Sequence, residues 1–253
     1  MDIKILDSWL REYLDTKATP SQIAKYLSLC GPSVERVNKF EKDYVYNIEV
    51  TTNRVDSASV YGIAREASVI LPKFKVSAKL KRIKTESKYN FIKKVSYLST
   101  NIDSSLCPRF TAVLIKNVKI GQSPDWMNMR LESAGVRSIN NVVDISNYIM
   151  TALGQPVHTF DYNKIKGHKM VLRESKKGEK ITTLDGKTFT LSGGDIVIED
   201  GSGKLIDLAG VMGGNLSMVD EATKNVLLFV QTYEANRIRK TSMSLAQRTT
   251  AAT

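Results

Sequence analysis

The feature that most constrains this chain is a break in its pattern. Between Lys73 and Lys94 stand Lys73, Lys75, Lys79, Lys81, Arg82, Lys84, Lys88, Lys93 and Lys94, with Glu86 the only acid. Pro72 precedes the stretch and apolar residues thin out within it. A segment with so little to bury does not sit at the centre of a core, so the residues on its two sides are expected to fold around separate centres. The chain length, 253 residues, has room for two modest domains. The expected division is an N-terminal helix-rich domain over 1–72, a basic linker over 73–94 and a mixed α/β domain over 95–253. Two readings of the basic segment stay open. It is a strip that lies along phosphates, or a solvated connector or edge strand whose lysines discourage edge-to-edge pairing.

Before the break the periodicity is helical. Asp7 or Ser8 caps a short helix carrying Trp9, Leu10, Tyr13 and Leu14. Thr19-Pro20 is an N-cap with proline at the first helical position, and Gly31-Pro32 closes that helix. Tyr44 to Val50 reads as a strand. Asp56 or Ser57 opens a third helix that ends before Pro72. After the break the signals mix. Phe110 to Val118 is a strand, Ser123-Pro124 opens a helix closed by Gly135, and a second helix runs from near Ser138 to Gly154. Lys180 to Leu191 forms two alternating strands about Asp185-Gly186, a hairpin signal. Asp195–Glu199 and Leu205–Ala209 flank a second turn, Val226–Val230 is a buried strand, and Glu234 to about Gln247 is a basic amphipathic helix. The expected fold class is α+β, a small helix-rich N-terminal domain followed by a mixed α/β domain with a curled or barrel-like sheet.

Composition narrows the chemistry. Lys+Arg 37 against Asp+Glu 26 leaves a net charge of +11. Such a surplus points to a polyanionic partner, nucleic acid being the commonest, or to a merely lysine-rich surface. No window approaches about 18 consecutive apolar residues, and the opening Met1-Asp2-Ile3-Lys4 is not a secretory signal. A cytoplasmic protein without a membrane partner is expected. Cys30 and Cys107 lie far apart without CxxC spacing, and His158 and His168 are the only histidines. A disulfide framework, a zinc site and a histidine-cluster metal site are therefore not expected.

Two segments could carry chemistry. Gly210-Val-Met-Gly-Gly214 lets backbone approach a ligand closely, or forms a tight turn between strands; its spacing is neither a phosphate loop nor a dinucleotide fingerprint. Gly154-Gln-Pro-Val-His-Thr-Phe-Asp161 places an imidazole, an amide and a carboxylate in one loop after a helix. His158 there either contacts a ligand or is held by a local backbone bond. No nucleophile elbow accompanies it, so a Ser-His-Asp triad is a poor fit.

Taken in order, Arg137-Ser-Ile-Asn-Asn-Val-Val-Asp-Ile-Ser-Asn-Tyr148, the Gly154–Asp161 loop, Thr183-Leu-Asp-Gly186, Gly210–Gly214, Asn225-Val-Leu-Leu228 and Arg248-Thr249 resemble the editing module of the bacterial-type phenylalanyl-tRNA synthetase β subunit. Trp9-Leu-Arg-Glu-Tyr-Leu14, Cys30-Gly-Pro-Ser-Val-Glu-Arg-Val37 and the run from Ile48 to Ser68 resemble the split first domain of the same subunit. Most bacterial members carry an OB-fold tRNA-binding domain between those last two pieces. Here the chain passes directly from Val37 to Tyr44. The family continues past Arg248-Thr-Thr-Ala-Ala-Thr253 into further domains, so the resemblance, which spans essentially the whole chain, implies an N-terminal fragment.

The resemblance implies a part of an enzyme that charges tRNA with phenylalanine, with tRNA for phenylalanine and the α subunit of an α2β2 assembly as partners. ATP and magnesium belong to the whole enzyme and no cofactor to this fragment. Its implied activity is hydrolysis of mischarged Tyr-tRNA, because an apolar synthetic pocket rejects an added hydroxyl only about 10²-fold. Carried over by position, Arg137, Ser146, Asn147, His158, Gly213, Thr249 and Ala251 line the pocket. His158 and Thr249 orient the ester, the terminal adenosine or the water. Gly213 and Ala251 leave room for the tyrosyl ring, and Arg137 holds the site or the RNA end. Phe229 stands where the family has a glutamate that accepts the tyrosine hydroxyl. An unpaired buried hydroxyl costs roughly 1–3 kcal/mol, so tyrosine selection is expected to be weak or lost. Ser146, where many members have threonine, is a milder change. The alternative is a non-catalytic module for subunit assembly and tRNA binding.

Overall fold

The computed structural model describes residues 1–83 and 95–252, and their packing divides them otherwise than in chain order. Residues 1–83 and 122–156 form one compact unit; 95–121 and 157–252 form the other. Of the basic segment, 84–94, with Lys84, Lys88, Lys93 and Lys94, lies outside the described residues.

The first unit contains β1 (Asp2–Leu6), α1 (Asp7–Tyr13), β2 (Leu14–Thr16), α2 (Pro20–Cys30), β3 (Ser33–Phe40), β4 (Asp43–Glu49), α3 (Val60–Lys73), β5 (Ala78–Leu80), α4 (Asp125–Ser133) and α5 (Asn141–Leu153). β1, β4 and β3 form an antiparallel sheet in that order, and β2 pairs with β5. Local chemistry sets several ends. Thr19 accepts from Gln22 N–H while the Gln22 side chain accepts from Thr19 N–H, a reciprocal cap on α2. Ser59, not Asp56 or Ser57, caps α3 by accepting from Gly62 N–H at 2.9 Å. Asp56 and Ser57 are wound into a short 3-10 turn, where Arg54 holds both side chains. Pro72 lies inside the last turn of α3 rather than beyond it. There its missing N–H removes one bond near an end already short of partners.

Two expectations change here. The helices α4 and α5 pack in the first unit, not in a domain over 95–253. The reason is aromatic: Tyr148 of α5 stacks on Trp9 at 4.8 Å, and Arg130 of α4 lies over the rings of Trp9, Trp126 and Tyr148 at 5.3–5.9 Å while pairing with Glu12. Ala152 is buried in the same core as Trp9, Leu10, Ile23, Leu27, Tyr46 and Ile63. The described part of the basic segment is also not a bare linker. Lys73 ends α3, Leu80 of β5 stands opposite Leu14 of β2, and Lys81 Nζ donates to the Arg11 carbonyl at 3.0 Å.

The second unit contains β6 (Ser99–Ile102), β7 (Arg109–Ile115), β8 (His158–Asp161), β9 (Lys169–Glu174), β10 (Lys180–Thr182), β11 (Thr188–Thr190), β12 (Ile196–Asp200), β13 (Leu205–Leu208), β14 (Met212–Gly213), β15 (Val226–Thr232) and α6 (Ala235–Ser244). A five-stranded sheet has the order β14-β13-β12-β9-β6, with β6 and β9 parallel and the other pairs antiparallel. A three-stranded sheet has the order β7-β15-β8, and β10-β11 is the hairpin about Asp185-Gly186. The class is α+β. Among the described residues no sheet closes into a barrel, because each keeps its own edge strands. One core unites Phe160, Leu227 and Phe229 of the three-stranded sheet with Met170, Leu172, Ile198 and Ile206 of the five-stranded one. A smaller core gathers Ile181, Leu191, Val197, Leu205, Leu208 and Val211.

Candidate functional site

The expected site residues divide between the units. Arg137, Ser146 and Asn147 belong to the first; His158, Gly213, Phe229, Thr249 and Ala251 belong to the second. In the first unit Arg137 is exposed ahead of α5. Ser146 is buried and donates to the Val143 carbonyl at 2.6 Å, and the Asn147 carbonyl accepts from the Thr151 hydroxyl at 2.9 Å. The organiser of this loop is a residue the sequence did not single out. Asp144, fully buried, accepts from Ser123 and Ser138 hydroxyls at 2.5 Å and from Ile139 N–H at 2.8 Å. An acid in an apolar helical run is the signal that could have marked it, since a buried carboxylate needs several donors.

In the second unit strand register does the positioning. His158 stands opposite Phe229, and Phe160 opposite Leu227, so all four project from one face of the three-stranded sheet. The His158 ring meets the edge of Phe160 at 4.4 Å and 81°. Phe229 meets Phe110 at 4.7 Å and Phe160 at 5.6 Å, both edge-to-face, and is 0% exposed. The expectation that residue 229 lines a substrate pocket therefore meets a ring packed within the core.

Gly213 explains why the imidazole fits. A Cβ there would stand 2.3 Å from His158 Cε1 and 2.6 Å from Nε2. At Gly214 a Cβ would meet the Ile206 carbonyl oxygen at 2.6 Å. The glycine pair is thus a close approach of a ring and of backbone, and Gly213 lies in β14 rather than in a turn. Thr249 donates its hydroxyl to the Val211 carbonyl at 2.9 Å. That bond pins the segment before the short turn Thr250–Ala252, where Ala251 is exposed, to the strand entering Gly213. His158, Gly213 and Thr249 are therefore gathered about Val211–Gly213.

Although His158 as a residue is half-buried, desolvation of its ring pushes its pKa down to about 4. The imidazole is neutral at neutral pH and a weak base, suited to holding a group by hydrogen bonding more than to removing a proton. Asp207, another residue the sequence did not mark, stands opposite Gly213 on β13 and is 4% exposed; burial pushes its carboxyl up to about 8. A shallow depression on α6, lined by Asn236, Arg239, Lys240, Met243 and Ser244, shares none of these residues.

One prediction follows from the close approach. Gly213→Ala is expected to cost about 1–3 kcal/mol by overpacking against His158. The double variant Gly213→Ala/His158→Ala should recover most of that loss in urea unfolding. Additive losses would mean that the methyl group and the ring do not meet.

Residues 106–253, more than half of the chain, match the B3/4 domain. The chain belongs to the B3/4 domain family. All eight expected site residues fall within the B3/4 segment, and that segment contributes to both compact units. Curated relatives include the phenylalanine–tRNA ligase β subunit of Geobacter metallireducens, 41% identical over 208 residues, which cover 82% of this chain and 25% of the relative. The phenylalanine–tRNA ligase β subunit of Clostridium tetani is 42% identical over 211 residues, covering 81% and 25%. The chain spans about a quarter of the length of these relatives. Among solved structures, an N-terminal fragment of the phenylalanyl-tRNA synthetase β subunit from Pyrococcus horikoshii aligns over 98% of this chain and 74% of its own, at 15% identity and a TM-score of 0.47.

Proposed function

We propose that this chain is part of a phenylalanine–tRNA ligase β subunit and that its B3/4 region hydrolyses the ester of tyrosine mischarged on tRNA for phenylalanine. The observation that carries the reading is the gathering of His158, Gly213 and Thr249 about Val211–Gly213. In the reaction a water oxygen attacks the ester carbonyl carbon. The bond from that carbon to the ribose oxygen breaks, and the ribose oxygen takes up the proton that the water gives up, leaving free amino acid and the RNA hydroxyl. No covalent enzyme intermediate is required. Neutral His158 holds the water or the ester, Thr249 fixes the strand beneath it, and positioning supplies most of the acceleration.

The partners on this reading are tRNA for phenylalanine and an α subunit, and the compartment is the cytoplasm. The net charge of +11 suits a polyanionic RNA. ATP and magnesium serve the synthetic reaction of the whole ligase. Among the described residues no group of three or more His, Cys, Asp or Glu is placed to hold a metal ion, and no step is assigned to one here. No described helix is long and apolar enough to cross a membrane.

The test is deacylation of Tyr-tRNA by the intact chain. Hydrolysis above the buffer rate, falling about 10²-fold or more in His158→Ala, is expected in the range usual for loss of a positioned polar group. A rate indifferent to His158 overturns the reading. The second reading, a non-catalytic module for assembly and tRNA binding, is favoured by one observation: Phe229, where the family has an acid, is sealed among Phe110 and Phe160. It expects salt-sensitive tRNA binding without hydrolysis.

A further inference from the structure

Among the described residues of the second unit, three interior polar groups lack a full set of partners. The Asp207 carboxyl makes no hydrogen bond to any described residue, and the Gln231 Oε1 and Tyr233 hydroxyl are closed to solvent with no well-formed bond, each having only the other's side chain for company. Strand register brings them to one place. Asp207 stands opposite Gly213 on one side and Ile198 on the other, so it projects from the core-facing side of the five-stranded sheet, where the His158 ring fills the space left by Gly213. Gln231 lies two residues beyond Phe229 on β15 and opposite Phe110, on the sheet face that carries His158. Tyr233 follows that strand, next to the Gln231 side chain and near the Asp207 carboxyl. Buried polar groups are nearly always bonded, and exceptions mark places where something else completes the set.

We infer that Asp207, Gln231 and Tyr233 form a subsite that takes a hydroxyl group of the ligand held at His158 and Gly213. The chemistry selects that group. An amide oxygen accepts, a phenol donates, and a protonated carboxyl can do either, which matches a hydroxyl, itself donor and acceptor, and leaves a hydrocarbon edge unmatched. The inference rests on the hydrolytic reading of this site, under which the hydroxyl is the tyrosyl phenol, and it moves recognition of that phenol from position 229 to β13 and the end of β15.

The test uses the intact chain and two non-hydrolysable probes, the 3′-amides of adenosine with tyrosine and with phenylalanine, measured by calorimetry. The parent is expected to prefer the tyrosyl probe about tenfold or more, the order of discrimination one buried hydrogen bond gives. Asp207→Ala and Tyr233→Phe should each bring the ratio near one while leaving phenylalanyl affinity unchanged. Tyr233→Phe removes a single oxygen, so it reports on recognition even where Asp207→Ala fails to fold. A parent that binds both probes equally, or a Tyr233→Phe protein that keeps the preference, overturns the subsite and leaves the hydrolytic reading standing. Binding of neither probe overturns both.

Discussion

The Phe229→Ala protein is expected to be about 3–5 kcal/mol less stable than its parent, the usual cost of emptying a large aromatic site in a core. The ring is 0% exposed, meets Phe110 and Phe160 edge-to-face, and lies in the core shared by two sheets, so little around it can relax into the space. Phe229→Glu should cost at least as much. It loses the same contacts and buries a carboxyl without a donor, which is expected to stay protonated well above the ordinary range for glutamate. Urea unfolding of both variants checks this. A Phe229→Glu protein within about 1 kcal/mol of the parent would mean that residue 229 faces an open wall and not this core.

Stability should also depend on pH through two buried groups of opposite sign. His158 falls from an ordinary value of 6.5 to about 4 in the folded chain. Between those values the unfolded chain holds the extra proton, so stability is full above pH 6.5 and is lost as pH falls toward 4. Asp207 rises from 3.8 to about 8. Over that span the folded chain holds the extra proton, so stability is full below pH 3.8 and is lost as pH rises toward 8. Each slope is about 1.4 kcal/mol per pH unit. From about pH 4 to 6.5 the two cancel, and from 6.5 to 8 only Asp207 acts, lowering stability by about 2 kcal/mol. Asp207→Asn should instead rise in stability from pH 4 to 6.5 and then stay level. Denaturant midpoints at pH 4.5, 6.5 and 8 decide it. A variant whose profile parallels the parent's would show that the Asp207 carboxyl is already ionised in the fold.

Much of the architecture was legible because it is local. The Thr19 cap before Pro20, the closing residue Gly31, the hairpin about Asp185-Gly186 and the buried strand β15 all rest on signals within a few residues. β3 carries no strand signal in its sequence. Its half-buried residues Val34, Val37 and Phe40 recur every third position, and a register shift between Val34 and Arg36 breaks the alternation a strand normally shows. β8, with only four residues, has the sequence of a loop, and its pairing with β15 supplies the order its own sequence does not.

The candidate site was legible in part. His158, Gly213 and Thr249 were marked by motif, but the motif could not tell that Gly213 makes room for the imidazole itself. Asp207 was invisible, since a lone acid in Leu205–Leu208 looks like any strand residue until its register partners are known.

What the sequence determined by itself was the kind of each segment: its period, its caps, its turns and its excess of positive charge. What only the tertiary structure decided was which element covers which. α4 and α5 follow the second unit's β7 in the chain yet pack Tyr148 against the first unit's core and bury Ala152 in it, and Phe229 is core rather than pocket because Phe110 and Phe160 come to it from two neighbouring strands. Periodicity shows that a face must be buried. It does not name the partner, because that choice depends on shape and register across residues far apart in the chain.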